Sequence, residues 1–66
     1  MDDSNRWKAV KVKGPDDKIW RFLTPKAGET RLKIHAWLFE DNAKAERVRD
    51  EIIELNPGVM AKVVVL

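Results

Sequence analysis

Trp7, Lys11, Lys13, Arg21, Lys33, His35 and Trp37 interleave cations with flat indole rings along the first part of the chain. That combination suits a polyanion that carries stackable bases. Lysine and arginine displace condensed counterions from phosphate, and an indole stacks on a base for ~1–3 kcal/mol. Arg21 could also make a bidentate contact to guanine if a sheet entered a major groove. The expected function is therefore nucleic-acid binding, to DNA or RNA. Lys11, Lys13, Arg21 and Lys33 would sit on phosphates, Trp7 and Trp37 on bases, with His35 on the same face.

Other chemistries lack their residues. The chain has no cysteine and one histidine, His35, so disulfides, thiolate metal sites and histidine-rich metal sites are excluded. No metal and no cofactor is expected. The one serine is Ser4, close to the start, and no nucleophile–base pair on a rigid scaffold can be assembled from it and His35. Glu46, Asp50 and Glu54 repeat at four-residue spacing, which reads as a solvated helix face whose like charges weaken the helix slightly. Gly14, Gly28 and Gly58 stand singly at turns and form no phosphate loop. An enzyme is not expected.

A second function class fits the same residues. Exposed sheet faces carry Lys and Arg to stay soluble and to discourage aggregation. Trp and Arg are also enriched at protein–protein hot spots. The alternative is thus a protein-binding accessory or inhibitor module, of the kind a phage or mobile element encodes, self-associating as a homodimer through this face.

Length and charge bound both readings. Sixty-six residues, 44% hydrophobic and 36% charged, make one small domain over residues 1–66, with 1–5 as a disordered tail. A chain of this size buries only about 60% of the surface its unfolded form exposes, so its core is thin. The first five residues are acidic and polar, unlike a signal peptide, and the apolar run 63–66 is too short to span a bilayer. A cytoplasmic location without a membrane partner is expected. Residues 1–38 hold nine basic and five acidic side chains, a balance of +4, whereas residues 39–66 hold four and six, a balance of −2. A basic front and an acidic back favour docking on one side only.

These side chains need elements to hold them. Residues 7–13 (WKAVKVK) and 18–24 (KIWRFLT) alternate as two strands joined by a turn at Gly14-Pro15-Asp16-Asp17. Residues 25–30 read as a loop, and 31–38 (RLKIHAWL) alternate strictly, predicting a third strand. The period then changes. Asp41 or Asn42 can cap a helix in which Ala45, Val48, Ile52 and Leu55 form one apolar stripe, and Asn56-Pro57-Gly58 ends it. Residues 59–66 (VMAKVVVL) predict a last strand, inserted into the sheet or added beside the first. The fold class is α+β: an antiparallel sheet in the order βββαβ, with one helix packed on one face.

The facing of each strand follows from its alternation. With the helix over Leu32, Ile34, Ala36 and Leu38, the third strand turns Lys33, His35 and Trp37 outward. Arg21 would be costly beneath a helix, so Trp20 and Phe22 are expected inside and Ile19, Arg21 and Leu23 outside. Val10 and Val12 go inside, leaving Trp7, Ala9, Lys11 and Lys13 outward.

Trp7 with its following alternation, and Trp37-Leu38-Phe39-Glu40 leading to Ala45, carry a resemblance over about residues 6–55. The chain resembles the three-stranded-sheet DNA-binding domains of plant ethylene-response factors and of integrase arm-site-binding domains. The resemblance implies a sheet inserted in the major groove, with Trp7, Lys11, Arg21, Lys33 and Trp37 in contact. Two departures stand out: no glycine follows the Trp-Leu pair, and residues 59–66 add a strand.

Overall fold

A computed structural model describes residues 7–26 and 28–66; the tail expected over 1–5 lies outside them. The central strand is β1 (Lys8–Lys13), in which valines alternate with lysines. It is followed by β2 (Arg21–Leu23), β3 (Glu29–Thr30), helix α1 (Asn42–Leu55) and β4 (Met60–Val65). The four strands form one antiparallel sheet in the order β3-β2-β1-β4, so the last strand is added beside the first. This is the α+β fold expected, with its βββαβ order.

The hairpin between β1 and β2 is wider than a tight turn. The Asp17 N–H donates to the Gly14 carbonyl at 3.1 Å, and the Gly14 N–H donates to Asp17 Oδ2 at 3.1 Å. These two bonds close the turn, but the chain rejoins the ladder only at Arg21, which pairs with Val12. The second strand is therefore shorter than its sequence pattern.

The third strand is the main correction. Ladder pairing ends at Thr30, and residues 33–35 form a 3₁₀ turn where alternation predicts extended chain. Thr30 Oγ1 accepts the Leu32 N–H at 3.1 Å, a local bond that bends the chain directly after β3. The segment then crosses over. The Trp37 N–H donates to the Leu23 carbonyl at 2.9 Å, and Phe39 exchanges two backbone hydrogen bonds of 2.8 Å with Lys8. Phe39 so fills the place beside the start of β1 that short β2 leaves empty. Leu32, Ile34 and Leu38, expected in the core, are exposed as a result, Ile34 at 83%.

Helix α1 begins at Asp41, whose Oδ1 accepts the Ala43 N–H at 3.0 Å, satisfying one orphan donor of the first turn. It ends where Asn56 donates to the Ile52 carbonyl from both backbone and side chain, followed by Gly58 at φ +93°. Ala45 is buried and Val48 and Ile52 pack on the core, as the stripe predicts; Leu55, at the last turn, is exposed instead. Asp50 and Glu54 point to solvent, Asp50 joined to Arg49 at 2.9 Å.

The core beneath α1 consists of Val10, Val12, Leu23, Phe39 and Ala45, ringed by Trp37, Val48, Ile52, Val59, Ala61 and Val63. A smaller cluster of Ala9, Phe22 and Ala36, flanked by Val64 and Leu66, lies on the opposite face. Phe22 therefore sits on the face expected to be open, and Leu23 beneath the helix. Antiparallel partners share a face, and Lys11 is paired with Phe22 and Val12 with Arg21.

Candidate nucleic-acid interface

The face away from α1 is set by the register of β1. Lys11 is opposite Phe22 on one side and Lys62 on the other, and Lys13 is opposite Met60. Alternation adds Ala9, Thr30 and Val64 to this face, so no acidic residue occupies a strand position on it. The lysines do not stand apart from the rings. Lys62 Nζ lies 4.4 Å from the centroid of the Trp20 ring and Lys13 Nζ 5.6 Å from it, while Lys11 Nζ lies 5.0 Å from the Phe22 ring. Each ammonium faces the negative side of an aromatic quadrupole, and its alkyl stem covers apolar surface. Trp20 remains half-buried under these stems, whereas Phe22 is buried.

The residues singled out in the sequence divide into three groups. Trp7, Lys11 and Lys13 do share the face away from the helix, by alternation along the extended chain through β1. Arg21 does not join them. It is on the helix side, at the start of β2, but α1 packs mainly on β4 and β1, and the Arg21 side chain stays about a third exposed. The cost of burying a guanidinium, which had argued for the opposite facing, is thereby avoided. Its Nη1 lies 3.4 Å from Asp17 Oδ2. Trp37 is also on the helix side, its ring 4.7 Å from that of Phe39 and packed on the core. Lys33 and His35 form the third group, exposed in the 3₁₀ turn.

Trp20, Phe22 and Lys62 were the residues missed. Lys62 was hidden because the place of the last strand was open; once β4 pairs with β1 through the register Lys11–Lys62, it belongs to the same face. Trp20 and Phe22 followed from the facing of Arg21, and its reversal moves both.

Other surfaces offer less. A cleft of about 150 Å3 lies between the end of α1 and the sheet, lined by Val12, Leu23, Glu29, Ile52, Asn56 and Val59. Its polar groups are one carboxylate and a carboxamide whose nitrogen already caps α1. Among the described residues, no three His, Asp or Glu side chains gather to hold a metal ion, and no helix is long and apolar enough to cross a membrane. No protein-family model, curated protein or solved structure matches the chain.

Proposed function

We propose that this chain binds nucleic acid through the sheet face opposite α1, with Lys11, Lys13 and Lys62 on phosphates and a base against Trp20. Trp7, on the same side, extends the stacking surface. The observation that carries this reading is the grouping of three lysines with two aromatic rings, Lys13 and Lys62 over the Trp20 indole and Lys11 over Phe22, on a face whose strand positions hold no carboxylate. Such a face attracts a phosphate backbone along its length, and an indole offers its flat side to an unpaired base without regard to sequence. The acidic helix lies on the other side of the sheet, so docking is one-sided. The DNA-binding domains that the sequence resembles also use a sheet, but the contact set implied by that resemblance is replaced: Arg21 and Trp37 leave it, and Lys62 and Trp20 enter.

Titrating fluorescently labelled single-stranded and duplex oligonucleotides with the full chain tests this. Three phosphate contacts give a slope of log K against log salt of about −2.1 for a single strand and about −2.7 for a duplex. Lys11→Ala together with Lys13→Ala should remove about two-thirds of that slope. Arg21→Ala together with Lys33→Ala should leave it unchanged, because Arg21 points to the other face and Lys33 stands in the 3₁₀ turn. No binding at about 50 mM salt, where such contacts are strongest, ends the proposal.

The protein-binding alternative draws on a different place. Leu32, Ile34 and Leu38 are each exposed on the segment that carries the 3₁₀ turn with Lys33 and His35. Solvent-exposed aliphatics of this size on one short segment are a feature of protein contact surfaces.

A further inference from the structure

We propose that a second copy of this chain pairs with the free edge of β4, antiparallel, joining two four-stranded sheets into one. The phase of the ladder determines which groups are available. The Leu66 N–H donates to the Trp7 carbonyl at 2.9 Å, continuing the register that pairs Lys8 with Val65. In an antiparallel pair, alternate residues point their backbone groups toward the neighbour, so Met60, Lys62, Val64 and Leu66 are turned to β1. Ala61, Val63 and Val65 then point their N–H and C=O groups outward. Among the described residues nothing pairs with them, since β4 ends the sheet.

Natural edge strands are guarded by proline, bulges, short length or charges, lysine above all. β4 carries one of these guards, Lys62; it has no proline or bulge, and its six residues pair with β1 without interruption. Val65 is 52% exposed and Met60 45%.

The occupant follows from self-complementarity. A two-fold axis at Val63, perpendicular to the sheet, sets Val63 opposite Val63 of the second copy and Ala61 opposite its Val65. All the outward groups of the three residues are then paired in both copies. On the other face this register sets Lys62 opposite Val64 and Met60 opposite Leu66, so no lysine opposes its own copy. Sliding the strands by two residues in one direction would place Lys62 opposite Lys62, which like-charge repulsion disfavours, and in the other would leave the outward groups of Ala61 without a partner among the described residues. The same axis keeps both helices on one side and both lysine faces on the other, so Lys11, Lys13 and Lys62 of each copy form one continuous basic surface. The pairing is independent of nucleic acid and stands or falls without it.

Light scattering of the full chain over a dilution series, with no nucleic acid present, should give a mass that doubles as concentration rises. Hydrogen exchange followed by NMR should show protection of the Ala61, Val63 and Val65 amides appearing with the dimer and vanishing on dilution. Val65→Pro deletes an outward N–H, and so two hydrogen bonds of the symmetric pair, while leaving the bonds to β1 intact. It should weaken the dimer about tenfold or more. Should that variant lose its circular dichroism, Val65→Lys at the same exposed position puts a charge on the edge and should dissociate the dimer likewise. A monomer at every concentration overturns the proposal. So does a dimer unchanged by these substitutions, or one whose Ala61, Val63 and Val65 amides stay unprotected.

Discussion

Lys62 holds its ammonium 4.4 Å above the Trp20 ring, joining an edge strand to a residue that lies just before β2 across the width of β1. A single side chain thus serves as both a cation on the sheet face and part of the cover over the indole. Any ligand that draws the ammonium away also exposes the ring, so phosphate contact and base stacking are coupled at this point.

Lys62→Ala separates the two roles. Trp20 loses the nearer of its two lysine covers and a cation–π contact of about 0.5–1 kcal/mol, so tryptophan emission should shift to the red in the free protein. The salt dependence of oligonucleotide binding should fall by about 0.7–0.9 per lost phosphate contact. A red shift with an unchanged slope would make Lys62 a cover for the ring and not a ligand for phosphate. Emission spectra of the variant and a salt titration give the two answers independently.

The core can be checked by a contrast that alternation alone would have reversed. Phe39 is buried at the junction of the crossing segment, β1 and the helix, whereas Ile34 is almost wholly exposed. Phe39→Ala should cost ~3–5 kcal/mol, since a ring and its cavity are both involved. A chain of this length has about 3–10 kcal/mol to lose, so the variant should be partly or wholly unfolded. Ile34→Ala should stay within about 0.5 kcal/mol of the parent. Urea denaturation of the two variants measures both, and similar midpoints would mean that residues 31–38 do form the buried strand their pattern suggests.

The legible parts of this fold are those fixed by local chemistry. Asp41, the stripe of Ala45, Val48 and Ile52, and the Asn56-Pro57-Gly58 stop define α1 almost to the residue, because caps and helical periodicity act within a few positions. β1 and β4 are equally plain, as Val10 and Val12 alternate with lysines and β-branched residues fill 63–65. The third strand was not legible, since alternation describes side chains and says nothing of whether a neighbour is present to pair with. Thr30 bends the chain at Leu32, and the vacancy beside Lys8 draws in Phe39. The facing of β2 failed for a related reason: Arg21 is costly only under the helix, and where the helix lies depends on the position of β4. Three of the five residues of the candidate face, Trp7, Lys11 and Lys13, could therefore be read from the alternation through β1 alone, and Lys62 and Trp20 could not.

Gly58 tests the connection that delivers β4 to the edge. It follows Pro57 and adopts φ +93°, a region costly for residues with a Cβ, while the Val59 N–H donates to the Asn56 carbonyl at 3.0 Å across the turn. A Cβ built at this position would come no nearer than 3.8 Å to Pro15 Cγ, so space is available and the penalty is conformational alone. Gly58→Ala should therefore destabilise the chain by ~1–2 kcal/mol. Gly58→Asn should recover part of the loss, because asparagine tolerates positive φ better than alanine. Thermal melts of the two variants decide the matter: if alanine melts no lower than glycine, the turn relaxes to negative φ at little cost, and the strain assigned to this link between α1 and β4 is absent.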